Sequence, residues 1–154
     1  MIETGARLFN GLTIAIGVNP AKRPTFALAD RIEMLRASTR HLRGVRISSF
    51  GNQYLIDYAR EIGSTHILRG IRSQTDYEYE RVMRHINSDL DSGITTVFLM
   101  PPRDIAEVSS SMVRSLIGPK GWEDTVRRYV PDPVFQMIAA RAEGDRARDL
   151  KIMQ

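Results

Sequence analysis

Two short segments carry the side chains that are best suited to bind an anion. Arg69-Gly70-Ile71-Arg72 supplies two guanidinium groups around a glycine, and Ser109-Ser110-Ser111 supplies hydroxyl groups and backbone N–H groups. Each segment lies where an apolar run stops and a helical pattern begins, which is where open parallel sheets bind their ligands. Guanidinium groups and the N–H groups at the start of a helix both favour phosphate. Together the two segments predict a polyphosphate site.

The same residues also admit plain structural roles. Most arginines are exposed, so Arg69 and Arg72 need bind nothing, and one serine of the three is enough to cap a helix. The acids within residues 76–80 favour the start of a helix because of its dipole. Glu80 also lies four residues before Arg84, a spacing that predicts a salt bridge along the helix.

Other candidates are weaker. Lys22 follows the first apolar run, in a loop with two prolines, which puts it at the same edge of the predicted sheet. The three histidines, at positions 41, 66 and 85, do not share metal-ligand spacing with one another or with acidic residues. We therefore expect no metal ligands among the side chains.

The elements that must position these residues alternate along the chain. Continuous apolar runs predict strands at 12–18, 45–50, 65–68 and 94–100. Helical periodicity predicts helices at 2–9, 27–42, 54–62, from about 75, from about 109, and at 122–129 and 133–143. This alternation predicts an α/β fold with a parallel sheet. We expect one domain over residues 1–143 and a charged C-terminal tail over 144–154.

Composition excludes several classes of function. The 154 residues contain no cysteine, which excludes disulfides, thiolate metal sites and cysteine nucleophiles. No run approaches the roughly 20 apolar residues of a membrane span, so we expect a cytoplasmic protein without a membrane partner. The net charge of +4 is spread along the chain without interleaved aromatics, so we expect no nucleic-acid partner.

Several segments, in this order along the chain, resemble the bacterial phosphopantetheine adenylyltransferases of the nucleotidylyltransferase superfamily. The matching segments are Asn19 to Phe26, Leu55 to Arg60, Ile67 to Arg72, Asp76 to Glu80, Val97 to Pro101 and Val108 to Arg114. The likeness extends to about residue 140. It implies a Rossmann-like doubly wound parallel sheet with C-terminal helices.

The resemblance implies transfer of the adenylyl group of ATP to 4′-phosphopantetheine, with Mg²⁺ as cofactor and a homohexameric assembly. It assigns catalytic roles to Lys22 and Arg72, and phosphopantetheine binding to Lys22, Leu55 and Arg69. The residues that it assigns to ATP are Gly70, Ile71, Arg72, Glu80, Ile105, Ala106, Glu107, Val108, Ser109, Ser110 and Ser111.

The sequence departs from the family pattern in two places. The family begins with a strand and a loop that carries a Gly-His pair, and this sequence has neither before Met1. The segment before the serines also lacks the aromatic residue that is often found there. The main expectation is an adenylyltransferase whose given start lies too late. The alternatives are an inactive homologue that binds nucleotide or pantetheine, and an unrelated nucleic-acid-binding module.

Overall fold

The computed structural model describes residues 1–21 and 23–152, with side chains described up to position 144. Helices and strands alternate as α1 (Ile2–Leu8), β1 (Leu12–Val18), α2 (Leu28–Thr39), β2 (Val45–Gly51), α3 (Leu55–Glu61), β3 (His66–Gly70), α4 (Gln74–Leu90) and β4 (Thr95–Leu99). A 3-10 turn (Arg103–Ile105) and the helices α5 (Ser110–Ser115), α6 (Trp122–Val126) and α7 (Asp132–Ile152) follow. The predicted α/β fold is confirmed.

The strands form two parallel pairs. β1 pairs with β2 from Leu12 opposite Val45 to Val18 opposite Gly51. β3 pairs with β4 from His66 opposite Thr95 to Gly70 opposite Leu99. Within the described part of the chain, each pair is a two-stranded sheet. Because the strands of a pair are parallel, the carboxyl ends of β3 and β4 lie side by side.

Two compact units divide the chain, and the first contains all four strands. It comprises residues 1–28 and 42–107. Its core is formed by Ile56, Ala59 and Ile67, against which Leu55 and Ile94 pack. Ile56 is fully buried. This core therefore fixes the start of α3 against β3, the strand that ends in the arginine motif.

The second unit is helical. It comprises residues 29–41 and 108–154, and so contains most of α2 together with α5, α6 and α7. The rings of Trp122 and Phe135 lie 6.3 Å apart, and the guanidinium of Arg127 lies 4.2 Å from the centre of the Phe135 ring. Val126 is fully buried. Aromatic and apolar packing thus holds α6 against α7.

Two helix ends show where glycine does and does not stop a helix. Gly63, with φ of 68°, follows α3 and donates to the carbonyl of Arg60 at 3.0 Å, so the predicted stop is confirmed. The prediction that the last helix ends at residue 143 is wrong, because α7 continues through Gly144 to Ile152. A glycine inside a helix costs only about 1 kcal/mol relative to alanine, and the alanine-rich segment 139–142 before it favours the helix.

Candidate functional site

A cavity of about 490 Å³ opens in the first unit beside α4. Side chains from β2, the start of α3, β3, α4 and β4 line it: Phe50, Tyr54, Leu55, Arg69, Tyr79, Glu80, Met83, Arg84, Ile86, Asn87, Leu90 and Thr96. Most of this lining is apolar. A mostly apolar cavity with few polar groups is the usual form of a small-molecule site.

The polar centre of the cavity is an ion pair between β3 and α4. Nε of Arg69 donates to Oε2 of Glu80 at 2.7 Å, and Nη2 donates to Oε1 at 2.5 Å. Glu80 is only 8% exposed, whereas the Arg69 side chain is 39% exposed. The hydrogen bonds to Glu80 raise the pKa of Arg69, although partial burial acts against them. Arg69 is therefore a permanent cation in a fixed orientation.

The apolar wall of the cavity is supported from behind. The Phe50 ring stacks on Tyr58 with 4.9 Å between ring centres and 11° between planes. The Tyr58 hydroxyl donates to Oγ of Ser48 at 2.6 Å, which ties α3 to β2. Leu55 packs on the buried core of the unit. The wall is thus built on packed elements rather than on a loop.

The chain continues from Arg69 along the strand edge. Gly70 ends β3, and the N–H of Ile71 donates to the carbonyl of Leu99 at 2.9 Å, which extends the ladder by one bond. Arg72 then bonds to Asp76 in the first turn of α4. These hydrogen bonds raise the pKa of Arg72 and lower that of Asp76. The motif therefore spans the strand, the turn and the helix start.

The serine segment caps α5, as its simplest interpretation predicted. Oγ of Ser109 accepts from the N–H of Met112 at 3.2 Å. Oγ of Ser111 accepts from Nη2 of Arg114 at 3.1 Å, and Ser110 is exposed. One of the three hydroxyl groups therefore acts as the cap.

The structure brings some of the predicted site residues together. Leu55, Arg69 and Glu80 line one cavity, and Gly70, Ile71 and Arg72 follow Arg69 directly. Ile105, Ala106 and Glu107 end the first unit, whereas Val108, Ser109, Ser110 and Ser111 belong to the second unit. Lys22 lies outside the described residues.

One expected contact is wrong. Glu80 does not pair with Arg84 four residues along α4, but with Arg69 eleven residues earlier. The i, i+4 spacing is worth only about 0.2–0.5 kcal/mol on a helix surface. A two-bond pair between a buried carboxylate and a guanidinium is stronger, because both hydrogen bonds are charge-assisted and they satisfy the buried oxygens of Glu80.

Several lining residues were not predicted. Phe50 and Tyr54 come from neighbouring elements, β2 and the start of α3, whereas Met83 and Asn87 come from α4, which follows only after β3. Asn87 is buried although asparagine is usually exposed, so its residue type alone did not mark it as a lining residue. The aromatic residues carried no signal either, because the same pattern is typical of an ordinary core.

Within residues 1–21 and 23–144, no group of three or more His, Asp or Glu side chains is arranged to hold a metal ion. A Mg²⁺ ion bound through the phosphates of a nucleotide needs only one or two protein carboxylates. Across the described helices, none combines the length and the apolar character that crossing a membrane requires.

Comparison with known proteins gives one consistent result. The Cytidylyltransferase-like family model matches residues 1–116. A phosphopantetheine adenylyltransferase of Neisseria meningitidis serogroup C is 54% identical over 140 residues, which cover 91% of this chain and 82% of that protein. The enzyme of the same name from Chromobacterium violaceum is 52% identical over 90% of this chain and 84% of its own length. That of Nautilia profundicola is 35% identical over 88% and 86%.

Proposed function

Because the chain belongs to the Cytidylyltransferase-like family, we infer that it is a nucleotidyltransferase of coenzyme A biosynthesis. The reaction is transfer of the adenylyl group of ATP to 4′-phosphopantetheine. An oxygen of the substrate phosphate attacks the α-phosphorus of ATP, the bond from that phosphorus to the bridging oxygen breaks, and pyrophosphate leaves. Dephospho-coenzyme A is the other product.

The observation that carries this proposal is the pairing of one fixed cation with an apolar cavity. 4′-Phosphopantetheine has a phosphate at one end and a long uncharged arm. Arg69 offers its guanidinium to the phosphate, and the wall that includes Leu55 and Tyr79 suits the arm. The cavity follows α4 from Glu80 to Leu90, which is about 15 Å at 1.5 Å per residue.

The remaining roles follow the family resemblance. We propose that Lys22 joins Arg69 at the substrate phosphate, and that Arg72 offsets charge on the phosphates of ATP. Gly70, Ile71 and residues 105–111 are assigned to ATP. Such a transfer needs little covalent chemistry from the protein, because positioning and charge stabilisation account for most of the rate. Mg²⁺ bound with ATP would neutralise part of the phosphate charge.

We also propose that the protein assembles with itself, as a homohexamer. Val82, Ile86 and Leu90 form an apolar row on α4, and each is between 41% and 49% exposed. Ile86 and Leu90 also line the cavity, so the proposed interface would border the site. A row of large apolar side chains in water favours contact with another protein surface. Because ATP is a metabolite of the cell interior, we place the activity in the cytoplasm, with no nucleic acid or membrane as partner.

The test is direct. The purified chain is incubated with ATP, Mg²⁺ and 4′-phosphopantetheine, pyrophosphate release is followed, and dephospho-coenzyme A is identified by mass spectrometry. We expect stoichiometric formation of both products. Calorimetric binding of ATP or phosphopantetheine without turnover would instead identify an inactive binding homologue. Binding of neither substrate would overturn the proposal.

A further inference from the structure

Glu80 stands apart among the acidic residues of this protein. It is the one carboxylate that is buried within residues 1–21 and 23–144. A buried carboxylate is costly unless it is paired and hydrogen-bonded. Both of its oxygens accept from Arg69, so its position is satisfied within the protein before any ligand binds.

The geometry of the pair leaves the more useful edge of Arg69 open. The carboxylate takes one N–H from Nε and one from Nη2. A guanidinium group has five N–H donors, so three remain, two on Nη1 and one on Nη2. Two of these three, one on each Nη, point along the end edge of the group and form a second fork. Phosphate is bound by such a fork through two parallel hydrogen bonds.

Glu80 pairs with Arg69 on β3 and not with Arg84 on its own helix, which indicates that the ion pair orients Arg69 rather than stabilising α4. Arg84 lies one turn along α4 and also lines the cavity, but Glu80 bonds across to β3. An arginine side chain that is not held loses much rotamer freedom when it binds a ligand. Glu80 removes that cost in advance, because the orientation of Arg69 is already fixed.

We propose that Glu80 is a positioning residue for phosphopantetheine binding. Glu80 holds the guanidinium of Arg69 so that its free fork faces the cavity, where it binds the phosphate. The inference rests on the proposed function. It replaces the role beside ATP that the resemblance gives to Glu80. If Glu80 acts only through Arg69, its removal is without further effect once Arg69 is gone.

A double-mutant cycle tests this relation. Glu80→Ala, Arg69→Ala and the double variant are compared with wild type for calorimetric affinity and KM toward each substrate. We expect Glu80→Ala to weaken phosphopantetheine about tenfold, a coupling of ordinary size for a contacting pair, and to leave ATP unchanged. The double variant should match Arg69→Ala. Glu78→Ala, an exposed carboxylate on the same helix that bonds to Gln74, is the matched control.

A second variant keeps the test valid if Glu80→Ala does not fold. Glu80→Gln retains the shape and one acceptor, so positioning predicts weaker phosphopantetheine binding. Tighter binding would mean that the carboxylate only repels phosphate, and would overturn the inference. Additive losses in the double variant, or a change in ATP affinity alone, would also overturn it. Wild-type protein that binds no phosphopantetheine would instead overturn the proposed function, and with it this inference.

Discussion

Arg72 and Asp76 join the end of the β3 segment to the first turn of α4 through three hydrogen bonds. The backbone N–H and Nε of Arg72 both donate to Oδ2 of Asp76, at 3.1 and 3.0 Å, and Nη2 donates to Oδ1 at 3.4 Å. Ser73, between them, caps the helix by accepting from the N–H of Asp76 at 3.1 Å. The turn that follows Arg69 is therefore fixed at both ends.

The acid stability of the protein should depend on this carboxylate. The bonds from Arg72 lower the pKa of Asp76 in the folded state, so its stabilising contribution is complete above the ordinary aspartate value of about 3.9. The contribution is lost as the pH falls through the lowered value. For wild type, we expect the urea concentration at the unfolding midpoint to decrease as the pH drops below about 4. For Asp76→Asn, we expect a lower midpoint at neutral pH and a smaller decrease in acid.

Asp91 belongs to the same prediction, because bonds from Arg60 lower its pKa. Asp91→Asn should likewise reduce the decrease of the urea midpoint in acid, which is called the acid limb. Combining Asp76→Asn with Asp91→Asn should reduce it further. Glu33→Gln changes an exposed carboxylate in the middle of α2, away from the helix start, and should leave the acid dependence as in wild type. Equal acid limbs in all variants would show that neither ion pair contributes.

Removal of either proposed phosphate-binding cation should reduce turnover. In Arg69→Ala and Lys22→Ala we expect phosphopantetheine turnover to fall by at least about tenfold with the fold intact, because a charged contact to phosphate is lost. Circular dichroism checks the fold, and pyrophosphate release gives the rate. Arg81→Ala removes an exposed guanidinium from α4 outside the cavity and should retain the wild-type rate. Wild-type rates in both site variants would refute the assignment.

The cavity wall should affect one substrate and not the other. Tyr79 lines the cavity, whereas Tyr77, two residues earlier on α4, does not. Tyr79→Ala removes apolar contact worth about 1 kcal/mol, so the KM for phosphopantetheine should rise roughly fivefold while that for ATP stays constant. Tyr77→Ala should change neither. Equal KM shifts for both substrates in Tyr79→Ala would place the arm elsewhere.

The apolar row on α4 should control assembly. Val82 is 49% exposed and lies outside the cavity lining, so Val82→Lys introduces a charge into the row without touching the site. We expect light scattering to give a multiple of the 17.5 kDa chain mass for wild type and a lower mass for this variant. Arg81→Lys, a neighbour that keeps its charge, should assemble as wild type does. A monomeric wild type would contradict the proposal.

The elements of the first unit follow closely from local patterns. Residues 12–18 form β1 within the predicted bounds, because a continuous apolar run of that length suits a parallel strand. The strand is less buried than such a run predicts, since Ile16 alone is buried and Val18 is exposed. β3 was predicted to stop at Leu68, but it continues through Arg69 to Gly70. Hydrogen bonding to β4, not hydropathy, sets that end. Arg69 consequently lies in the strand itself.

The site could be predicted only in part. Leu55, Arg69 and Glu80 were named from the family pattern, and they meet in one cavity. The partner of Glu80 could not be found from spacing, because helix periodicity indicates local neighbours such as Arg84 and says nothing of contacts across elements. The aromatic residues of the apolar wall, Phe50 and Tyr54, were missed for the same reason. The members of that wall become neighbours only when three elements pack together.

The same substitution at two glycines should change stability in opposite directions. Gly44 has φ of 72°, and a Cβ there would lie 3.0 Å from the backbone oxygen of Asn10, so Gly44→Ala should cost about 1–2 kcal/mol. The carbonyl of Gly44 also accepts from the N–H of Leu12 at the start of β1, so a distortion at Gly44 would disturb the β1–β2 pair.

Gly144 lies inside α7 with open space at its Cβ. Gly144→Ala should therefore increase helicity, by about 1 kcal/mol of local propensity. Urea unfolding and far-ultraviolet dichroism measure both effects, and destabilisation of equal size at the two sites would show that backbone conformation is not the cause.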